Sequence, residues 1–512
     1  MTVRPRLLAA VALGISLVPS SSFALPAGEE RPNVLMILAD DLGYSDLGCY
    51  GSEIPTPNLD RLAAGGVRFT QCTNTSKCFP SRASLLTGCY AQAIGMDRSP
   101  AKIVGAPTIG ELLREAGYRT LFSGKHHGTE NPYDRGFDRY FGLRDGACNY
   151  FNPGLAREGE PAPAQKRKDR AWCVDGETLR PFTPTSPDFY TTDAFTDAAL
   201  GWLEEYAEEE RPFFLYVSYN APHDPLQAPQ VDIDRHVGVY EAGYEVIRGA
   251  RWMRQREMGM FGEGVSLSEE DHPEWSTLPA EEQADQVLRM QVYAAMVDRM
   301  DRNIGRLITK LEQLGELDNT LILFASDNGG SAEIVKIGKG EIGNIDRWSS
   351  LGGRWANVSN TPLRKYKNHS FEGGICTPLI VHGPGIVGDP GGFIREPCHL
   401  FDLVPTFLEL GAAERPDTWS GERAAPLAGT SLVPLLEGKP FARTEPIFYE
   451  WGRGRAVRDG RWKLVTPKKG APWELYDLEK DRVESVDVAA EHPEVVTRLA
   501  GAWDRWREAV NQ

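Results

Sequence analysis

Carboxylates, an amide, histidines and a lysine recur at four places along the 512-residue chain, each time directly after a short apolar run. Asp40-Asp41 follow "NVLMILA" (Asn33–Ala39), and "GKHHG" (Gly124–Gly128) follows "RTLFS" (Arg119–Ser123). "NAPHDP" (Asn220–Pro225) follows "FFLYVSY" (Phe213–Tyr219), and "DNGG" (Asp327–Gly330) follows "TLILFAS" (Thr320–Ser326). Any one of these is an ordinary turn or cap sequence. Together they put Asp40, Asp41, Asp327 and Asn328, four hard oxygen donors with no thiolate–imidazole set among them, where Ca2+ or Mg2+ is favoured over zinc. A fifth stretch, "CFPSRASLLTG" (Cys78–Gly88), adds a cysteine open to three roles: half of a disulfide, a buried apolar filler, or a reactive group. Pro80 suits a helix start and Ser81–Thr87 reads as its opening turns. Cys78 then falls just before a helix N-terminus, where anions are favoured, and Arg82 points its guanidinium at the same space.

These groups need elements to bring them together. The apolar runs, with "PLIVH" (Pro378–His382), read as strands of a largely parallel sheet covered on both faces. In such wound sheets, ligands bind at the carboxyl ends of the strands. Helical signals alternate with them. Val287, Met290, Met296, Val297, Met300, Ile304, Leu307, Ile308 and Leu311 build one apolar face of a long helix, which Gly315 stops. In "PTIGELLREAGY" (Pro107–Tyr118), Thr108 caps, Glu111 sits three residues on, and Gly117 ends the helix. Pro153–Pro187 and Val231–Ser276 read as insertions near the site. From about Glu445 short strand-like runs follow, with a hairpin turn at Asp459-Gly460 and a final amphipathic helix through Val495–Val510. The expected fold class is α/β: a large mostly parallel sheet sandwiched by helices, with a smaller C-terminal α+β domain containing an antiparallel sheet. The expected divisions are a signal peptide over residues 1–24, a catalytic α/β domain over residues 30–440 and the C-terminal subdomain over residues 441–512.

Composition narrows the function. With 56 basic and 72 acidic residues the formal charge is −16, which argues against non-specific nucleic-acid binding. Arg4 and Arg6, an apolar run from Leu7 to Val18, and Ser22-Phe23-Ala24 have the order of a secretory signal peptide. Cleavage near Ala24 would give a periplasmic or secreted product with no membrane segment. Eight cysteines then meet an oxidising compartment, where some can pair, but their connectivity is not readable.

At this point the chain resembles the sulfatase family, within the alkaline-phosphatase-like superfamily. The resemblance is carried by "PNVLMILADDLGYSDLGCYG" (Pro32–Gly51), "CFPSRASLLTG", "GKHHG", "APHDP", "LFASDNGG" and "NTPLRKYKNHSFEGGICTPLIVHGPG" (Asn360–Gly385), in the family's order. The closing "GRWKLV" and "WELYDLEKD" are similar to the C-terminal part of bacterial arylsulfatases. The resemblance implies that a maturation enzyme oxidises Cys78 to Cα-formylglycine, whose hydrate is the nucleophile. It implies that Asp40, Asp41, Asp327, Asn328 and the modified residue 78 hold Ca2+, with Mg2+ the lesser candidate. It matches Arg82, Lys125, His127, His223 and Lys367 to sulfate binding and proton transfer; Lys367 is matched ahead of Lys365 because it stands five residues before Glu372 of "EGG". The chain departs from the family at Cys89 and Cys376, where basic residues are common, and at His126, where the family usually has Trp. The implied reaction is hydrolysis of a sulfate monoester, on an aryl group or a sugar. Two alternatives stay open: a phosphomonoesterase or phosphodiesterase on the same scaffold, and a non-catalytic binder of sulfated glycans if Cys78 is never modified.

Overall fold

The computed structural model describes residues 31–510 apart from Asp271, Pro384, Arg453 and Lys469; the expected signal peptide, residues 1–24, lies outside them. The labelled elements run β1 (Asn33–Asp40), α1 (Pro57–Gly65), β2 (Val67–Thr73), α2 (Cys78–Thr87), α3 (Ile109–Glu115), β3 (Arg119–Gly124), β4 (Arg139–Leu143), β5 (Trp172–Val174) and β6 (Glu177–Leu179). They continue with α4 (Thr191–Glu205), β7 (Phe213–Pro222), α5 (Tyr244–Glu257), α6 (Ala280–Leu314), β8 (Thr320–Ser326), β9 (Cys376–His382), β10 (Phe393–Ile394) and β11 (Cys398–His399). The C-terminal elements are β12 (Ile447–Trp451), β13 (Gly454–Asp459), β14 (Trp462–Thr466), β15 (Glu474–Asp477) and α7 (Pro493–Ala509).

One eleven-stranded sheet organises the molecule, in the order β10-β2-β9-β8-β1-β7-β3-β4-β5-β6, with β11 also on β2. Its centre is parallel. β1 pairs with β7 and β8, with Val34 level with Phe214 and Leu321, and β3 pairs with β7 and β4. Toward the edges antiparallel pairs enter, although the short β10 and β11 pair parallel with β2. β9, which contains "PLIVH", runs antiparallel to both β8 and β2, and β5 and β6 add an antiparallel hairpin beyond β4. That hairpin comes from the Pro153–Pro187 stretch, so this segment widens the sheet as well as covering its edge.

Alternation along β1 shows why its sequence is apolar throughout. Leu35, Ile37 and Ala39 pack on one face with residues of α1, α4 and α6. Val34, Met36 and Leu38 pack on the other with residues of α2 and α3. A strand buried on both faces cannot alternate polar and apolar residues. The predicted apolar stripe of α6 is buried from Met290 to Leu311, and Gly315 closes the helix with φ +76°. Thr108 and Glu111 form the expected reciprocal cap of α3. The C-terminal hairpin loop is Gly460-Arg461, one residue later than expected, because Asp459 pairs with Trp462. The four-stranded antiparallel sheet β12-β13-β14-β15 packs Val457, Leu464 and Leu475 with Leu499, Trp503 and Trp506 of α7. Among the described residues no helix is long and apolar enough to cross a membrane, and all eight cysteines are free thiols.

One anchor of this frame was invisible in the sequence. The N-terminus of α1 has no cap of its own. Asp301 of α6 supplies one: its carboxylate accepts from the backbone N–H of Asn58 at 3.1 Å, the Asn58 amide at 2.8 Å and the backbone N–H of Leu59 at 2.9 Å. Asp301→Ala leaves those donors without their acceptor, and a thermal melt is expected to show a loss of about 2 kcal/mol. A melt within error of the wild type would show that the cap is not a significant anchor.

Candidate active site

The carboxyl ends of β1, β3, β7 and β8 deliver the functional groups to one edge. Asp40 is the last residue of β1, and Asp41 follows in a left-handed conformation, φ +64°. Lys125 leaves β3 through Gly124, whose φ is +118° and where a Cβ would stand 1.9 Å from the Ser218 carbonyl oxygen. Only glycine permits that approach of two backbones. Cys78 is the first residue of α2, one position further into the helix than expected, and Arg82 lies one turn along. Lys367 arrives from the loop before β9. Cys78, Arg82, Lys125 and Lys367 are all at least 98% buried.

Inside the cluster each cation meets a carboxylate. Lys125 Nζ is 2.5 Å from Asp40 Oδ2, and Lys367 Nζ is 2.8 Å from Asp41. Arg82 gives Nε to Asp327 Oδ2 at 2.7 Å, Nη1 to the Lys125 carbonyl at 3.1 Å and to Ser218 Oγ at 2.5 Å, and sets Nη2 3.5 Å from Asp40 Oδ1. The Asn328 amide donates to Asp41 Oδ1 at 2.7 Å, and the backbone N–H of Asp41 to Asp327 Oδ1 at 3.3 Å. Asp40, Asp41, Cys78 and His223 offer ligand atoms all within 4.8 Å of one another. Asp40 Oδ1 and Asn328 Oδ1 are buried without hydrogen-bond partners. Buried polar atoms are seldom left so. Orphaned hard oxygens among carboxylates suit an oxygen-seeking divalent cation, so the residues present fit a metal of that class.

Electrostatics follow from this packing. Burial alone raises the pKa of Asp40 and Asp41, but Lys125, His223 and Arg82 around the first, and Lys367 and His223 around the second, outweigh it and hold both below the usual carboxylate range. Asp327 goes the other way, to about 6, because burial and the neighbouring Asp40 and Asp41 exceed what Arg82 and Lys125 offset. Burial likewise pushes the Cys78 thiol up to about 11.

The two adjacent histidines separate cleanly. His127 adopts φ +65°, packs edge-on to Phe79 and lines the open cleft; a Cβ on Gly146 would come within 2.4 Å of its Nε2. His126 turns back into the body, edge-on to Phe122, and burial drives its pKa down to about 3. His223 sets Nε2 3.6 Å from Asp41 Oδ2, while its Nδ1 faces the Asp224 carbonyl oxygen at 2.6 Å and Asp224 Oδ1 at 3.1 Å. Asp224 is also held by the Ser350 hydroxyl. Sequence reasoning missed Asp224 although it lies inside the quoted "APHDP". It also missed Glu333, which pairs with Lys77 at 2.9 Å and stands 3.8 Å from Lys367. Nothing local marks Glu333. Trp451 at the end of β12 packs on Phe79 at 5.1 Å and donates its indole N–H to Asn368, so the C-terminal sheet supports a residue of the cleft lining. The cleft above the cluster encloses about 500 Å³.

Comparison with known proteins agrees with this geometry. Residues 32–413 match the family model for sulfatase, and residues 366–507 match the model described as N-sulphoglucosamine sulphohydrolase, C-terminal. An uncharacterised sulfatase of Schizosaccharomyces pombe is 33% identical over 94% of both chains. The arylsulfatase of Klebsiella aerogenes is 33% identical over 85% of this chain and 98% of its own length. Among solved structures, Ps i-CgsB in complex with k-i-k-neocarrahexaose superposes with a TM-score of 0.71 at 29% identity, over 94% of each chain. The chain therefore belongs to the sulfatase family, and it is a hydrolase of sulfuric esters.

Proposed function

We propose that the protein cleaves sulfate monoesters with a nucleophile generated from Cys78, after a maturation enzyme converts that residue to Cα-formylglycine. The observation that supports this best is the surrounding of residue 78. A disulfide-bonded or merely space-filling cysteine has no use for Arg82, Lys125 and Lys367 and the orphaned oxygens of Asp40 and Asn328 beside it. The Cys78 thiol stands where the hydroxyls of the hydrated aldehyde would stand. When bound, a divalent cation held by Asp40, Asp41, Asp327, Asn328 and residue 78 would supply positive charge that polarises the nucleophile and the sulfate oxygens. The oxygen-only side chains favour Ca2+ over Mg2+, which demands tighter octahedral geometry and keeps more of its water.

The chain's own side chains have distinct tasks. Arg82, Lys125 and Lys367, all buried, set fixed charge around the place of the sulfate, where it stabilises developing negative charge better than mobile solvent does. His223, with Nδ1 fixed by Asp224 and Nε2 toward the cluster, protonates the leaving alcohol or phenol, with Lys367 beside it. His127, on the open wall, takes the proton from the hydroxyl that releases sulfate. The order of charged, apolar and small residues over positions 1–24 supports an exported, periplasmic or secreted product. The test is the mass of the peptide carrying residue 78, taken from protein made in the native host. The mass of the aldehyde or its hydrate is expected; a free thiol in active protein would end the proposal.

A further inference from the structure

The mouth of the cleft carries an excess of positive charge. Lys77, Arg144, Lys166, Arg167, Arg170 and Arg180 line it, against Asp145 and Glu333 alone among acids. This is a concentration of positive charge on a chain whose total is −16. Two of the six are matched locally: Lys77 by Glu333 at 2.9 Å and Arg167 by Asp169 at 3.3 Å. The others are not. Asp145 serves two guanidiniums at once, Arg144 Nη2 and Arg170 Nη1, each only at 3.9 Å. Arg144 Nε is buried with no hydrogen-bond partner.

The fold holds this pair in place. Leu143 on β4 pairs with Trp172 on β5, and the ladder continues as the Arg144 N–H donates to the Ala171 carbonyl at 3.0 Å. The Ala171 N–H donates to Asp145 Oδ2 at 3.1 Å. Arg144 and Arg170 thus come side by side at the rim from two antiparallel segments. Burial holds the Arg170 guanidinium below its ordinary pKa even with Asp145 nearby, the mark of a cation short of countercharge. Lys166 extends the same face, its ammonium 5.0 Å above the Trp348 ring and 3.9 Å from Asp224 Oδ1. Arg180 is exposed beside them. None of these residues takes part in the reaction proposed above. Among the described lining residues Phe79 is the one phenyl ring, beside the imidazoles of His127 and His223, and the six cations rather than stacking surface set this cleft apart.

We propose that the cleft selects glycan sulfate esters bearing a second acidic group, a further sulfate or a carboxylate, which Arg144 and Arg170 hold with Lys166 and Arg180 at the rim. The inference rests on the sulfatase reading for its scissile group; the second contact is a property of the rim. Guanidiniums recognise both oxyanions through the same paired N–H geometry.

The ratio of kcat/KM for a dianionic over a monoanionic substrate tests it. The substrates are a disulfated disaccharide, a disaccharide with one sulfate and one carboxylate, and methylumbelliferyl sulfate. For the wild type at low ionic strength the ratio is expected to be high, and in Arg170→Gln to fall by about tenfold or more, mostly through KM, with Arg170→Lys recovering part of it. Greater loss with one of the two disaccharides identifies the second acid as sulfate or carboxylate. A ratio unchanged by Arg170→Gln overturns the proposal. Calorimetry on Cys78→Ala protein reads the rim without turnover: both dianionic disaccharides should bind about tenfold more tightly than a disaccharide with a single sulfate, and the gap should close with salt. Equal binding overturns the proposal even if the enzyme is active, whereas the gap without any wild-type turnover would support the rim contact and count against the reaction.

Discussion

Cys78→Ser is expected to lose multiple turnover, with steady-state kcat on an aryl sulfate at least about a thousandfold below that of the matured wild type. Serine keeps a small hydroxyl at the first position of α2, beside Arg82, Lys125 and Lys367. It therefore keeps an oxygen that can attack sulfur. What it lacks is a second hydroxyl on the same carbon. The hydrated aldehyde has one, and its deprotonation can expel sulfate and restore the aldehyde, while a serine sulfate has no such exit. The loss should therefore fall on release, with a single slow sulfation per chain still possible. The melting temperature should stay near that of the wild type, since the exchange leaves the ion pairs around residue 78 in place. Rapid-mix kinetics distinguish these outcomes, and full multiple turnover by the serine protein would refute the role given to residue 78.

The part of this site that the sequence displayed is the part built by the parallel strands. A strand buried on both faces must be apolar throughout, so its end is abrupt, and the polar residue after it lies at the sheet edge by topology alone. Asp40, Lys125, His223 and Asp327 could be found in this way. What the sequence concealed depends on contacts between distant segments. β2 reads "VRFTQCT", a mixed strand whose partners lie more than 300 residues away in β9, and neither its existence nor the antiparallel direction of β9 has a local signal. The tie to the C-terminal sheet is similar. Buried Glu372 meets Lys463 Nζ at 2.8 Å and also pairs with Arg482, and Cys376 Sγ lies 3.3 Å from Arg482 Nη2. A basic group thus stands beside Cys376, a position where the sequence suggested a lost arginine contact. The resemblance already chose His127 ahead of His126, and the backbone gives the physical reason: the positive φ at His127 and the room left by Gly146 turn its ring into the cleft.

Arg82→Met is expected to lower both stability and activity, and the two losses have separate causes. The guanidinium is 99% buried between Asp327 and Asp40. Removing one partner of a buried charge pair leaves the other uncompensated, at a cost of about 3–5 kcal/mol. Here two carboxylates lose their shared cation, and Asp327 already titrates near 6 with Arg82 present. The activity loss, about a hundredfold or more in kcat, comes from the missing charge at the sulfate oxygens. Arg82→Lys should fall between, since an ammonium keeps the charge but not the fork that reaches Asp327, Ser218 and the Lys125 carbonyl together. Calcium separates the two effects. A cation bound among Asp40, Asp41, Asp327 and Asn328 stabilises the folded state by mass action and offsets part of the excess carboxylate charge. Added Ca2+ should therefore raise the melting temperature of Arg82→Met by more than that of the wild type, while kcat remains low because the added cation does not restore the guanidinium's N–H donors. Equal calcium shifts in the two proteins would mean that Arg82 and the cation do not share those carboxylates, and recovery of kcat along with stability would mean that Arg82 serves only the fold.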